Sequence, residues 1–265
     1  MKETRMTGRL AGRVALISGA SRGIGLAIAQ AYAAEGAKLC MVATNADALK
    51  AAADSLSIGN DALMTAVLDV RDSKACRAVV QDVTSRLGPI DVLINNAGIY
   101  KARSFLEYDS EDFRALMEVN LIGVVNLTQA VLPDMLARQA GRIVNVASSA
   151  GKAGSRNQSA YNASKHAVVG LTRCLSLETA TSGVTVNAIC PGLTQTDMVD
   201  NLKTAFASQA GVSAEQMLQS ILTRVPMGRL LNVEEIAGMA VYLGSTESSG
   251  MTGQALSIDG GLLTA

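Results

Sequence analysis

A glycine-rich turn, Ser18-Gly19-Ala20-Ser21-Arg22-Gly23-Ile24-Gly25, joins the apolar run Val14–Ser18 to the first helical pattern of the chain. Glycines permit a tight turn and a close backbone approach to a pyrophosphate. The helix that follows offers free N–H groups and the positive end of its dipole. A glycine trio alone is a weak signal, but the strand–turn–helix context makes it specific for a dinucleotide. The residues expected to contact this cofactor are Gly19, Ser21, Arg22, Gly23, Ile24 and Gly25.

Short runs rich in Val, Ile and Leu alternate with longer helical patterns along the rest of the chain. The runs are apolar throughout, which is typical of parallel strands that are buried on both faces. The predicted strands are Val14–Ser18, Lys38–Ala43, Met64–Asp69, Val92–Asn95, Arg142–Ala147, Thr185–Ile189 and Ala255–Ile258. The predicted helices are Ile24–Glu35, Ala46–Leu56, Lys74–Leu87, Glu111–Arg138, Ser159–Thr181 and Val233–Gly244. Right-handed crossovers would join them into a Rossmann-type, doubly wound parallel sheet of about seven strands, with helices on both faces.

Domain organisation is expected to be simple, because no linker, tandem repeat or low-complexity tract interrupts the chain. Residues 1–265 are therefore predicted to form one dinucleotide-binding catalytic domain. The stretch Thr194–Arg229 breaks the alternation, because it follows a strand and is rich in helical pattern. We predict that residues 194–229 are an insertion that covers the substrate. The apolar residues of this cover are Met198, Leu202, Phe206, Met217, Leu218 and Ile221.

Composition excludes several classes of function. Of 265 residues, 49% are hydrophobic, and the 23 basic residues balance the 23 acidic ones. Without a basic excess, neither nucleic acid nor an anionic membrane is an expected partner. Met1 to Gly12 lacks the apolar core of a signal peptide, and no apolar run looks long enough to cross a membrane, so a cytoplasmic location is expected. Four cysteines without C-x-x-C spacing indicate free thiols rather than a disulfide or metal site.

The end of the second predicted strand indicates which dinucleotide binds. An acidic residue there binds the ribose 2′-hydroxyl of NAD, and its absence together with a nearby arginine accommodates a 2′-phosphate. The chain has Val42-Ala43-Thr44-Asn45 at this point, with no acid, and Arg22 can reach the same place. This favours NADP(H) as the cofactor. Binding of NAD(H) without an acid, with Arg22 only at the surface, is the alternative.

Tyr161 and Lys165 form a Tyr-x-x-x-Lys pair, and Ser148 precedes them. On a helix the phenol and the ammonium would project from one face, one turn apart. A fixed ammonium would lower the pKa of the tyrosine from its usual value near ~10. The Ser148 hydroxyl could hold a carbonyl or alcohol oxygen against the phenol. These groups can move a proton at neutral pH, although the pair alone is more often an ordinary helix surface.

Together, these motifs resemble the short-chain dehydrogenase/reductase family. Gly19-x-x-x-Gly23-x-Gly25, Asn95-Asn96-Ala97-Gly98, Ser148, Tyr161-x-x-x-Lys165 and Pro191-Gly192 occur in the family's order and spacing. The resemblance runs to Asp259-Gly260-Gly261, and Ser18 stands where the family usually has threonine. Segments such as Thr223–Arg229, and Thr44 at a 2′-phosphate position, are similar to ketoreductases of 3-oxoacyl thioesters, including those of aromatic polyketide pathways.

The resemblance implies roles for individual residues. It implies catalysis by Asn120, Ser148, Tyr161 and Lys165, with Asn120 holding a proton-relay water. Asp69 and Val70 would contact the adenine. The remaining implied cofactor contacts are Asn96, Ala97, Gly98, Tyr161, Lys165, Pro191, Gly192, Thr194 and Thr196. The family also implies a homotetramer, with Glu111–Arg138 and Ser159–Thr181 as interface helices, although those faces could equally be internal core.

The leading hypothesis is an NADP(H)-dependent reductase that acts on a small-molecule ketone similar to a 3-oxoacyl thioester. Ser148 and Tyr161 would bind the ketone oxygen, and Tyr161 would protonate it as hydride arrives. Lys165, helped by oxidised nicotinamide, would bring the pKa of Tyr161 near ~7. Lys152, Arg156 and Gln158 are loop residues that could border the substrate or be solvated. The alternatives are an NAD-dependent dehydrogenase of a sugar, steroid or cyclic alcohol, and a non-catalytic dinucleotide-sensing protein.

Overall fold

The computed structural model of the protein describes residues 8–200, 203 and 211–264. Leu202 and Phe206 of the predicted cover lie outside the described residues, as do residues 1–7 and 265 of the predicted domain.

Seven parallel strands form one sheet in the order β3-β2-β1-β4-β5-β6-β7. The strands are β1 Val14–Ser18, β2 Lys38–Ala43, β3 Leu63–Val67, β4 Val92–Asn95, β5 Gly141–Val146, β6 Val184–Pro191 and β7 Ala255–Ile258. The order reverses between β1 and β4, and in such sheets the carboxyl ends of the strands open a crevice at that point. The crevice places the glycine turn after β1 beside the asparagine motif after β4.

Helices cover both faces of the sheet. They are α1 Gly23–Ala34, α2 Ala46–Asp54, α3 Ser73–Arg86, α4 Ser110–Met117, α5 Gly123–Arg138, α6 Ser159–Thr179, α7 Ala214–Leu222 and α8 Val233–Gly244. Alternate residues of β1 serve the two faces, because side chains along a strand point to opposite sides. Ile17 packs in a core with α1, α2 and α8, whereas Leu16 packs in a core with α3 and α5. The predicted doubly wound α/β fold is confirmed.

Two predicted elements differ from the structure. The third strand ends at Val67 rather than Asp69, because the Asp69 carboxylate accepts hydrogen bonds from the backbone and guanidinium of Arg71 and so belongs to a turn. The predicted helix Glu111–Arg138 begins at Ser110 and contains a π-helical turn over Glu118–Ile122. The other boundaries move by at most two residues.

The continuous helical stretch Ser110–Arg138 corrects an expectation about membranes. It is long and apolar enough to cross a membrane by length and composition alone, so the expectation that no such run exists was wrong. The helix of a protein core passes the same test. Here Leu127, Val131 and Met135 are buried against the sheet in the same core as α3, so packing within the domain accounts for the apolar character of this helix.

Candidate active site

The four candidate catalytic residues lie at the carboxyl edge of the sheet. Ser148 follows β5, and Tyr161 and Lys165 lie one turn apart on α6. Both α6 side chains are buried, with 8% and 5% of the residue exposed. The Lys165 ammonium donates a hydrogen bond of 2.9 Å to the carbonyl of Val146, and it lies 5.8 Å from the centroid of the Tyr161 ring. The lysine is thus anchored to β5 and faces the phenol ring.

Burial shifts both titrations on α6. It raises the pKa of Tyr161 to about 12, opposed by a hydrogen bond from the Ser148 side chain. It also lowers the pKa of Lys165 to about 8. The expectation that Lys165 brings the pKa of Tyr161 near ~7 is therefore not met by the protein alone. A buried phenolate loses hydration, and this cost exceeds the attraction of an ammonium that is bonded elsewhere. At neutral pH Tyr161 carries its proton.

Asn120 lies within the π turn and clamps three segments together. Its Nδ2 donates to the carbonyl of Ile99 at 3.0 Å and to Ser164 Oγ at 2.9 Å, and its Oδ1 accepts from the Ile99 amide at 2.8 Å. Both amide hydrogens are in use, so only an acceptor of Asn120 is left to hold a relay water. A Cβ on Gly98 would lie 3.2 Å from Asn120 Oδ1 and 3.6 Å from Lys165 Nζ. Gly98 therefore lets the loop after β4 approach both catalytic side chains.

A row of buried polar side chains connects the strands and helices that carry the candidate catalytic residues. The sequence analysis did not predict it. Asn95 donates to Asn145 Oδ1 at 2.9 Å and to Thr128 Oγ1 at 3.2 Å, and Asn145 donates to Thr172 Oγ1 at 2.9 Å. These bonds tie β4 and β5 to α5 and α6. The signal in the sequence was Asn145, an amide between two valines of a predicted buried strand, because a buried amide requires partners.

Ser18 organises the turn after β4. Its hydroxyl accepts hydrogen bonds from the amides of Asn96 at 2.9 Å and Ala97 at 3.0 Å, and it donates to the carbonyl of Ile94 at 3.3 Å. All three bonds are made by the side-chain hydroxyl, which serine and threonine share. The departure from the family's threonine at Ser18 therefore leaves these bonds in place.

The glycine turn has the form that a pyrophosphate requires. Asn96 Nδ2 donates to the carbonyl of Gly19 at 3.0 Å, and a Cβ on Gly25 would lie 2.2 Å from that same oxygen. The N-cap residue Arg22 makes no side-chain cap, and the first turn of α1 has no acidic residue. By contrast, Asn45 and Asp72 cap α2 and α3 with their side chains. The first N–H groups of α1 are therefore free to bind an anion.

The end of β2 fits a phosphorylated ribose. Thr44 is exposed, and the Asn45 side chain accepts a bond of 2.8 Å from the amide of Ala48. No carboxylate occupies this position. Arg22 is exposed, and its Nη1 lies 3.6 Å from Asp197 Oδ2. Such an exposed pair is weak, so the guanidinium can turn to a 2′-phosphate.

The other predicted cofactor contacts lie around this crevice. Pro191 ends β6, and a Cβ on Gly192 would lie 2.7 Å from Asp259 Cα. Thr194 is buried and bridges to Leu231. Thr196 lies over the glycine turn, because a Cβ on Gly23 would meet its Cγ2 at 3.4 Å.

At the adenine side, Val70 is buried against α5, where a Cβ on Gly123 would lie 2.4 Å from Val70 Cγ2. The Asp69 carboxylate is bonded to Arg71, and this interaction lowers its pKa. Both predicted adenine contacts therefore follow β3 directly.

A cavity of about 420 Å³ opens beside the Ser148 and Tyr161 hydroxyls. The predicted cover contributes Met198, Met217 and Ile221 to its wall. Tyr100, which the sequence analysis did not single out, packs edge-on against Tyr161 with ring centroids 4.9 Å apart. The Tyr100 phenol oxygen is buried and has no hydrogen-bond partner among the described residues. It is therefore a hydroxyl that a ligand can satisfy.

Four loop and helix residues near the motifs have different positions. Arg156 and Gln158 line the cavity, but Lys152 does not, because its ammonium donates to Ser257 Oγ at 2.8 Å and to the carbonyl of Ala255. His166 is exposed, and its Nδ1 is bonded to the carbonyl of Asn162. Of the two cations on the loop before α6, Lys152 and Arg156, only Arg156 lines the cavity.

Comparison with known proteins agrees with this geometry. A family model described as short chain dehydrogenase matches residues 13–206. The chain belongs to the short-chain dehydrogenase family. This confirms the resemblance drawn from the motifs, and the protein is an oxidoreductase of that family.

Relatives of this short-chain dehydrogenase include a protein named as ketoacyl reductase 1 of the granaticin polyketide synthase from Streptomyces violaceoruber. It is 40% identical, over 98% of this chain and 96% of its own. Oxidoreductase UcpA of Escherichia coli strain K12 is 39% identical, over 96% and 95%. A crystal structure of an actinorhodin polyketide ketoreductase variant with NADPH is 39% identical, with a TM-score of 0.90 over 94% of this chain and 97% of that one.

Proposed function

We propose that this short-chain dehydrogenase is an NADPH-dependent reductase of ketones similar to 3-oxoacyl thioesters. The observation that carries the proposal is the position of Tyr161 with Ser148 at the wall of a cavity of about 420 Å³. The ketoacyl reductase name of the granaticin relative and the NADPH in the actinorhodin ketoreductase structure support it. A cytoplasmic location and a homotetramer are further parts of the proposal.

The crevice fits the cofactor. The uncapped N-terminus of α1 would hold the pyrophosphate, Thr44 and Arg22 the 2′-phosphate, and Lys165 the nicotinamide ribose. When bound, NADPH supplies the hydride. The asparagine motif after β4 and the loop after β6 lie on either side of the place where the dinucleotide would extend toward Tyr161.

Side chains of the protein bind the ketone oxygen and supply the proton. Ser148 and Tyr161 bind the ketone oxygen and fix its orientation. Tyr161 then donates its proton to the forming alkoxide, which is a much stronger base than a phenolate. Burial raises the pKa of Tyr161 to about 12, so the phenol holds its proton at neutral pH, and the transfer proceeds because the alkoxide is the stronger base. Lys165 stabilises the phenolate left behind, and the acceptor of Asn120 holds the water that returns a proton.

The test is consumption of NADPH in the presence of acetoacetyl thioester, cyclic ketone and sugar substrates, each repeated with NADH. We expect the fastest turnover with NADPH and the thioester. The Tyr161→Phe variant should lose roughly 10²- to 10⁴-fold in kcat, the usual contribution of a general acid. It should bind NADPH as the wild type does, as measured by quenching or enhancement of cofactor fluorescence.

Three outcomes would contradict the proposal. Retention of ketone reduction in Tyr161→Phe would remove Tyr161 from the mechanism. A strong preference for NADH with secondary alcohols would favour the NAD-dependent dehydrogenase instead. Binding of NADPH without turnover of any carbonyl would indicate a dinucleotide-sensing protein.

A further inference from the structure

Tyr100 differs from the other four tyrosines of the chain in its hydroxyl group. The Tyr100 oxygen is buried and has no hydrogen-bond partner among the described residues. The other four hydroxyls are bonded, Tyr32 to Ala240, Tyr108 to Lys101 and Asn157, Tyr161 to Ser148, and Tyr242 to Glu247. A buried hydroxyl without a partner destabilises a protein, and phenylalanine would fill the same space without that cost. The packing of the domain therefore does not account for the hydroxyl of Tyr100.

Tyr100 lies beside the candidate proton donor. It lines the same cavity as Ser148 and Tyr161. The rings of Tyr100 and Tyr161 have centroids 4.9 Å apart and planes at 73° to each other, which is an edge-on arrangement that aromatic pairs favour. One small molecule in the cavity can therefore contact both phenols.

The backbone on both sides of Tyr100 is anchored. The amide and the carbonyl of Ile99 are bonded to the Asn120 side chain at 2.8 Å and 3.0 Å. The carbonyl of Lys101 accepts a bond of 2.7 Å from the Tyr108 hydroxyl. A residue held on both sides binds a ligand with little loss of backbone freedom.

The Tyr100 hydroxyl is free to turn toward a ligand and is uncharged. No hydrogen bond within the described part of the chain holds it, so a ligand can draw it into the cavity without breaking a bond of the protein. Burial, together with the neighbouring phenols of Tyr161 and Tyr108, raises the pKa of Tyr100. The hydroxyl therefore keeps its proton at neutral pH and can donate it to an acceptor oxygen in a hydrogen bond.

We propose that the Tyr100 hydroxyl donates a hydrogen bond to a second carbonyl oxygen of the substrate while the ketone that is reduced lies against Ser148 and Tyr161. The substrate is then a ketone with another carbonyl group a few atoms away, such as a keto ester, a keto thioester or a dione. Tyr100 selects this substrate by binding it and takes no part in the transfer of hydride or proton. This inference rests on the proposed ketone reduction and adds a chemical requirement to its substrate.

Matched pairs of ketones test the inference. One pair is ethyl 3-oxobutanoate and heptan-2-one, whose chains are equally long and differ in the ester oxygens. The other pair is cyclohexane-1,4-dione and cyclohexanone. Because the members of a pair also differ in intrinsic reactivity, the quantity compared is the change that a variant causes in kcat/KM with NADPH for each member.

The Tyr100→Phe variant removes the hydroxyl and keeps the ring that packs against Tyr161. For the dicarbonyl member of at least one pair, we expect it to lose roughly threefold to tenfold in kcat/KM, mainly through KM, since one neutral hydrogen bond is lost. It should keep the wild-type value for the monocarbonyl member. Tyr242→Phe is the matched control, because Tyr242 lies on α8 and does not line the cavity. It should behave as the wild type with all four ketones.

Thermal unfolding of the free protein is a second measurement, and it needs no substrate. Tyr100→Phe should melt at the wild-type temperature or above it, because it removes a buried hydroxyl that has no partner. Tyr108→Phe should melt at a lower temperature, because its hydroxyl donates to the carbonyls of Lys101 and Asn157. If Tyr100→Phe melts as low as Tyr108→Phe, the Tyr100 hydroxyl is bonded within the protein and the inference is wrong.

The kinetic outcomes separate this inference from the proposed function. If Tyr100→Phe reduces all four ketones as the wild type does, the role of Tyr100 is overturned and ketone reduction stands. An equal loss for both members of each pair would also overturn it, because the hydroxyl would then act on the catalytic step rather than on a second carbonyl. No turnover of any ketone by the wild type would refute the ketone reductase itself, and the inference with it.

Discussion

Tyr161 and Lys165 show how burial, rather than their mutual attraction, sets the charges at the catalytic centre. Both side chains lie in the interior, so water cannot stabilise a phenolate or an ammonium there. The phenol keeps its proton, with a pKa of about 12, and the lysine holds its proton less firmly, with a pKa of about 8. The free protein is therefore set for proton donation, which is the step that reduction requires.

The lowered pKa of Lys165 predicts a pH dependence of stability. Between about 8 and 10.5 the unfolded chain binds the lysine proton more readily than the folded one, so the contribution of Lys165 to stability rises with pH across this window. Buried thiols such as Cys40, whose pKa is raised to about 12, contribute in the opposite direction, so the effect of Lys165 is the difference in stability between the wild type and a lysine variant. At one pKa unit per 1.36 kcal/mol, that difference changes by at most about 3 kcal/mol. Urea unfolding of the wild type and Lys165→Met at several pH values should show the wild type gaining stability relative to the variant as the pH rises. Parallel pH curves would show that Lys165 titrates normally.

The position of Thr44 predicts a switch in cofactor preference. A carboxylate introduced by Thr44→Asp would repel a 2′-phosphate and accept a bond from a ribose hydroxyl. We expect kcat/KM with NADPH to fall by roughly 10- to 100-fold, the equivalent of about 1.4 to 3 kcal/mol, while the value with NADH holds or rises. Thr65→Asp adds the same charge at an exposed position of β3 and should leave the ratio unchanged. If both cofactors respond alike to Thr44→Asp, the 2′-phosphate does not bind there.

At the scale of elements, the π turn of Glu118–Ile122 connects the long helix to the active site. π turns inside helices often mark functional sites. Here the turn presents Asn120 to the loop after β4 and to Ser164, next to Lys165. Because that loop also carries Gly98, the positions of Lys165, a candidate catalytic residue, and of the predicted cofactor loop depend on one side chain.

Removing the Asn120 amide should therefore affect stability and turnover together. Asn120→Ala leaves the Ile99 amide and carbonyl without these partners, which costs about 1–3 kcal/mol of unfolding free energy. We expect a larger fall in kcat than rise in KM. Asn187→Ala is the matched control, because Asn187 is also buried and bonds two backbone groups, of Met251 and Gln254, away from the site. It should lose similar stability and little kcat. Equal effects of the two variants on kcat would make Asn120 purely structural.

The sequence predicted the regular elements because their signals are local. Apolar runs and helical spacing gave each of the seven strands to within two residues, and β3 ends early because Asp69 turns to bond Arg71. The motifs also named Ser148, Tyr161 and Lys165, which the fold brings together. The pKa of Tyr161, the partners of Asn145 and the position of Tyr100 depend on packing between distant segments. No spacing in the sequence contains that information, so these features required the structure.

At the scale of the whole molecule, the two helices predicted to form an interface also belong to the core of the chain. Their inner faces are core, since Leu127 of α5 and Val168 of α6 are buried. On the outer face of α6, Leu177 is 81% exposed. Single exposed apolar residues are ordinary, but this one lies on the helix that also carries Tyr161 and Lys165. Packing of α6 against a second copy would therefore cover Leu177 and restrain the catalytic helix at once.

A homotetramer remains a prediction, and light scattering can test it. We expect a mass of four times the chain mass of 27.4 kDa, and a smaller assembly for Leu177→Lys, because a charge in an apolar contact is costly to bury. Leu106→Lys is the control, since Leu106 is 95% exposed on the loop before α4 rather than on an interface helix, and it should keep the wild-type mass. An obligate assembly also makes the melting temperature depend on protein concentration. A monomeric wild type with a melting temperature independent of concentration would refute the tetramer.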